Sequence, residues 1–128
     1  MPMTNAGRNF IAAAIMNDGP PAFFDEAGTF IGAGDSSTAF DVGQTDLQAA
    51  SNKLRMGMES GYPQRANNVL TFQSLYGTSD GNFAWEEWGI FNDPTAGVML
   101  SRKVESLGTK TSAQSWLITI DITVNIGS

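Results

Sequence analysis

The chain contains no cysteine and no histidine. That removes thiol nucleophiles, disulfides, Cys/His zinc sites and every histidine-based triad together, and it leaves the redox compartment open. Charge is sparse as well. Only 16% of residues are charged, against about 25% in ordinary soluble domains, which fits a surface that lies against neighbours. Within that small set 7 basic residues face 13 acidic ones, for a net charge of −6. Nucleic acid and anionic membrane both require clustered Lys and Arg, so neither is expected as a partner. No window approaches the roughly 18 consecutive apolar residues of a membrane span, and the N-terminus lacks the basic-then-apolar pattern of a secretory signal. The expectation is a soluble protein made in the cytoplasm.

What the chain has is a core. With 128 residues, 41% of them apolar and 10% aromatic, it suits one domain over residues 1–128 that buries roughly two-thirds of its unfolded surface. No composition shift or internal repeat divides it. The clearest pattern is at the C-terminal end. Trp116, Ile118, Ile120, Ile122, Val124 and Ile126 alternate with mostly polar residues, the period of two of a strand with one buried face.

Upstream, Thr4 is placed to cap a helix over residues 5–17, with Phe10, Ile11, Ala13, Ala14 and Ile15 on adjoining stripes and Asp18-Gly19-Pro20-Pro21 as its stop. Residues 29–34 read as a short strand whose glycines indicate a close backbone approach rather than a phosphate cradle. Thr45 and Gln48 have the spacing of a capping box, which predicts a second, short helix. Strands follow over 53–60, 69–77, 83–91 and 98–104, the last two joined as a hairpin through Asn92-Asp93-Pro94-Thr95-Ala96-Gly97. Residues 106–115 read as a long polar loop open to a partner. The predicted class is α+β: mainly antiparallel β, a sandwich-like sheet with a long C-terminal strand, an N-terminal helix and one short helix.

Candidate chemistry is thin. Glu86 and Glu87 are adjacent, so a strand points them to opposite faces and they cannot act as a catalytic dyad. Glu87, among Trp85, Trp88 and Phe91, is expected to be buried in a structural ion pair with Arg102 or to be held by backbone amides. Asp35, Asp41 and Asp46 do not have the spacing of a calcium loop. Trp85, Trp88 or Tyr62 could stack on a sugar, but the apolar run around Trp85 and Trp88 favours core or interface packing for those two. No catalytic residue, cofactor or metal is expected. The aromatic and aliphatic residues Trp85, Trp88, Phe91, Trp116, Ile118 and Ile120 are the candidate interface of a homo-oligomer closed by cyclic symmetry, expected as a trimer.

Four short motifs carry a resemblance: Thr4-Asn5-Ala6-Gly7 opening the helix, Ile31-Gly32-Ala33-Gly34-Asp35-Ser36-Ser37 with the later Thr45-Asp46-Leu47, the run Glu87, Gly89, Ile90, Phe91, and Val98-Met99-Leu100-Ser101-Arg102 as its return strand. Together they resemble the attachment domain of tailed-bacteriophage tail-fibre and tail-collar proteins. That resemblance implies a non-enzymatic structural protein of the virion, partnered by copies of itself and by the major capsid protein or by tail and baseplate proteins. In tail fibres such a domain anchors a shaft. Here Gly127 and Ser128 end the sequence, so the expectation is a stand-alone copy acting as a capsid decoration or cement protein. A tail-fibre or baseplate adaptor, and a carbohydrate-binding module, are the alternatives.

Overall fold

The structure, a computed structural model, describes residues 2–19 and 22–125. The protein is α+β and mostly β. In chain order the elements are α1 (Asn5–Met16), β1 (Phe30–Gly34), β2 (Lys53–Gly57), β3 (Gln64–Ala66), β4 (Val69–Tyr76), β5 (Ala84–Phe91), β6 (Met99–Thr109) and β7 (Trp116–Thr123).

The helix begins as expected. The Thr4 hydroxyl accepts from the Gly7 amide at 2.9 Å and itself donates to the Met99 carbonyl, so one side chain caps α1 and ties it to β6. The helix ends earlier than the proline pair. Asn17 adopts a left-handed conformation at φ 51°, and its amide bonds the Ala13 and Ala14 carbonyls, the local turn that Asn tolerates at a helix C-terminus. Pro20 and Pro21 lie outside the described residues.

All strand pairings are antiparallel and form two sheets, β2-β1-β5-β6 and β3-β4-β7. Ile31, Ala33, Trp85, Ile90 and Leu100 from the first sheet meet Phe72, Tyr76, Ile120 and Ile122 from the second in one core. Alternation is what makes this possible, because every second residue of β4 and β7 points inward. Tyr76 adds a polar tie across the layers. Its hydroxyl lies 2.6 Å from the Ile31 carbonyl and 2.8 Å from that of Leu54. The C-terminal strand runs in register with β4 from Tyr76↔Trp116 to Val69↔Thr123. Its inward face is the predicted one from Trp116 to Ile122, but Val124, expected on that face, lies past the end of β7 and is exposed, and Ile126 lies outside the described residues.

Two expectations are corrected. Residues 45–48 are not a helix: the Asp46 carboxylate bonds the Leu47 amide, and the amides of Gln48 and Ala49 are taken by Glu87. A distant carboxylate takes the Gln48 amide that the Thr45 side chain would have capped, and the next amide as well. Nor is 106–115 one loop. The strand β6 runs on to Thr109, pairing Gly108 with Trp85 and Thr109 with Ala84. It does so through a register shift against β5 between Val104 and Gly108, and this bulge interrupts the alternation that would have revealed the extension in the sequence.

Candidate functional site

The outer face of the larger sheet carries a trough opened by three glycines, Gly32, Gly34 and Gly89. Register places Gly32 opposite Gly89 and Gly34 opposite Glu87. A Cβ at Gly32 would lie 2.8 Å from the Phe91 ring, and one at Gly89 would lie 2.9 Å from the Ser101 carbonyl. Residues 35–49 cross this trough and cover it. Leu47 packs there with Phe91, Met99 and Phe30 as a second, smaller core.

Glu87 and Arg102 lie in the trough, diagonal to one another across β5 and β6 and both fully buried. Arg102 Nε donates to Glu87 Oε1 at 2.8 Å. The remaining valences go to the covering segment. Glu87 accepts the Gln48 and Ala49 amides, each at 2.8 Å, while Arg102 donates to the Gln44 side chain at 3.1 Å and the Thr38 carbonyl at 2.9 Å. A buried charge pair is tolerable only when its polar atoms are hydrogen-bonded, and here each nitrogen of the Arg102 guanidinium and both oxygens of Glu87 have a partner. Glu86 is on the other face and accepts from Ser106 at 3.3 Å. The two adjacent glutamates do not converge.

Beside the trough is an open cleft of about 270 Å³ bordered by Asp46, Lys53, Arg55 and Thr95. Its charges are engaged with one another. Asp46 receives Arg55 at 3.1 Å and Lys53 at 3.2 Å. Burial works against its charged form, but the bonds from Arg55, the Leu47 amide and Lys53 outweigh burial and hold its carboxyl below the usual range. Arg55 further donates to the Asp93 and Ala96 carbonyls and lies 3.6 Å over the Phe91 ring. The amides of Thr95 and Ala96 bond the Asp93 carboxylate and lower its pKa. Asp35 accepts from Asn52, and Asp41 from the Gly43 amide. Among the described residues no group of three or more acidic side chains is placed to hold a metal ion.

The six residues read as an interface divide. Trp85 and Phe91 are wholly buried and Ile120 nearly so, so they belong to the two cores and have no surface to give a partner. Trp85 packs edge-on against Tyr76 and Trp116, with centroids at 4.6 and 5.1 Å, and its indole N–H reaches the Gly81 carbonyl. Trp88, Trp116 and Ile118 are half-buried. The sequence reading missed Thr38, Gln44 and Lys110. Lys110 is buried and donates to the Gly77 carbonyl at 2.6 Å and Asn82 Oδ1 at 2.8 Å. A polar residue at the end of an irregular strand shows no periodicity, so nothing in the pattern marked it.

Every motif behind the resemblance meets at the first sheet. Thr4 and Gly7 dock α1 on β6, Gly32 and Gly34 open the trough, Asp46 and Leu47 belong to its cover, and Glu87 and Arg102 fasten it. Comparison with known protein families finds no match, and comparison with curated proteins finds none.

Proposed function

We propose that this chain is a non-enzymatic structural protein of a tailed-phage virion that associates with copies of itself. Its first reading is a decoration or cement protein of the head. The observation that carries the proposal is the convergence of the resembling motifs. Segments far apart in sequence form one fastened unit whose ionised groups are bonded within the chain, which suits a scaffold better than a centre for chemistry. The few charged residues and the open edge of β7 favour a protein laid side by side with copies of itself.

A tail-fibre or baseplate adaptor is the second reading, since the resemblance is to an attachment domain. A carbohydrate-binding module is disfavoured by Trp85, whose rings are wholly within the core. Quantitative mass spectrometry of purified virions, scaled to the major capsid protein, tests the proposal. A simple lattice fraction of the capsid copy number supports head decoration. A few copies per particle assigns the chain to the tail, and absence refutes the virion reading.

A further inference from the structure

The four strand edges of the sandwich are not alike. The outer strand β2 carries Lys53 and Arg55, both engaged with Asp46. The strand β3 has three residues, one of them Arg65. The start of β6 is covered by the N-terminal segment: Met3 bridges Ser101, the Thr4 amide bonds the Leu100 carbonyl at 3.1 Å, and the Arg102 amide bonds that of Pro2 at 3.2 Å. The rest of β6 is interrupted by register shifts and carries Lys103 and Glu105. Charges, shortness, bulges and coverage are the usual means of keeping an edge from pairing with another chain.

Among the described residues β7 has the least of these. It is eight residues long, pairs with β4 without a register shift, and its one charge is Asp121. Among the described residues it has a ladder on one side only. Exposed apolar side chains mark both ends of this edge, Leu117 at 56% and Val124 at 44% exposure.

We infer that β7 pairs edge to edge with β7 of a second copy, antiparallel about a two-fold axis through Ile120, joining two three-stranded sheets into one of six strands. This rests on the self-association in the proposed function and not on the virion assignment. The side chains select the register. Centred on Ile120, residue pairs sum to a constant, so Thr119 faces Asp121 of the second copy, Leu117 faces Thr123, Ile118 faces Ile122 and Trp116 faces Val124. Thr119 accepts from Gln73 at 3.1 Å, which leaves its own hydroxyl proton to donate. Asp121 accepts from Thr71 through Oδ1 at 2.7 Å, which leaves Oδ2 to receive it. Centring on Asp121 would oppose two like charges, and centring on Thr119 would put Leu117 against Asp121, both unfavourable. The arrangement is two-fold, whereas the sequence led to the expectation of a trimer.

The chain has no native cysteine, so paired substitutions test the register directly. Leu117→Cys and Thr123→Cys are made as separate proteins and mixed under mild oxidation. Directly opposed positions bring their Cβ atoms to about 5 Å, near disulfide range. Two Leu117→Cys copies would hold their sulfurs roughly 20 Å apart, six residues along the strand. The expected result is a covalent dimer in the mixture, at least tenfold more abundant than in either protein alone, and a native mass twice 13.7 kDa for the unsubstituted chain. A monomeric native mass, or cross-linking that does not depend on mixing, overturns the inference. Either result leaves the virion copy-number measurement to decide the function separately.

Discussion

Replacing Glu87 by Gln keeps the shape of the side chain and removes its charge. In the trough this leaves the fully buried Arg102 guanidinium without its counter-charge. It also turns one of two acceptor oxygens into an N–H donor, which must face the amide of Gln48 or Ala49. Breaking a buried pair from one side costs about 3–5 kcal/mol. A domain of 128 residues is stable by about 6–19 kcal/mol, so the variant should fold in the cold and melt roughly 10–20 °C earlier. The double replacement Glu87→Met with Arg102→Met removes both charges. In many proteins such a swap is neutral, but here it orphans the two amides and the Thr38 carbonyl, so recovery should be incomplete. Urea melts of the single and double variants, with hydrogen exchange at Gln48 and Ala49, measure both effects. A loss below about 1 kcal/mol in the single variant, or unchanged exchange at those amides, would refute the account of the trough.

Gly89→Ala should destabilise by about 1–3 kcal/mol in a thermal melt, because its new Cβ meets the Ser101 backbone carbonyl, which cannot rotate away. Tyr76→Phe removes the hydroxyl that ties the two sheets and should cost about 1–2 kcal/mol, with no change in fold by circular dichroism. Asp46 binds its proton less tightly folded than unfolded, its folded pKa lying below 3.8. Its stabilisation is therefore complete above the unfolded value and lost as pH falls through the folded one. Denaturant melts should show Asp46→Asn less stable than the parent near neutral pH, with the difference closing in acid below 3.8.

The fold was legible where the chain is periodic. The alternation from Trp116 onward predicted β7 and its buried face as far as Ile122, though not the exposure of Val124, and Thr4 predicted the helix start. Sequence patterns failed where distant atoms replaced local ones. The capping box at Thr45 and Gln48 is sound local chemistry, but the Glu87 carboxylate, 39 positions along the chain, takes the Gln48 amide. The far half of β6 was hidden because the bulge between Val104 and Gly108 breaks the period of two. The ion pair could be read from a carboxylate set in an apolar run, since such a group needs a partner. Its neighbours Thr38 and Gln44 could not, because they act through a backbone carbonyl and an uncharged amide on a segment without periodicity. Trp85 and Phe91 were read as anchors for a partner, and composition alone does not distinguish an aromatic residue in an interface from one in a core.

Fastening and association use different parts of the molecule, and this separation is itself testable. The Glu87–Arg102 pair lies on the outer face of one sheet, under residues 35–49, while the edge of β7 belongs to the other sheet. Releasing the cover should not alter the edge. Residues 35–49 contain no Lys or Arg but do contain Phe40, Val42 and Leu47, so thermolysin, which cuts at large apolar residues, reports on the cover. In Glu87→Gln at low temperature, thermolysin should cut within this segment faster than in the parent by the factor that its local opening equilibrium has shifted, roughly 10-fold for each 1.4 kcal/mol. Cross-linking between Leu117→Cys and Thr123→Cys copies carrying the same change should be unaltered. Loss of both together would mean that the trough and the edge are one cooperative unit, and that the covering segment holds the whole sandwich rather than its own face.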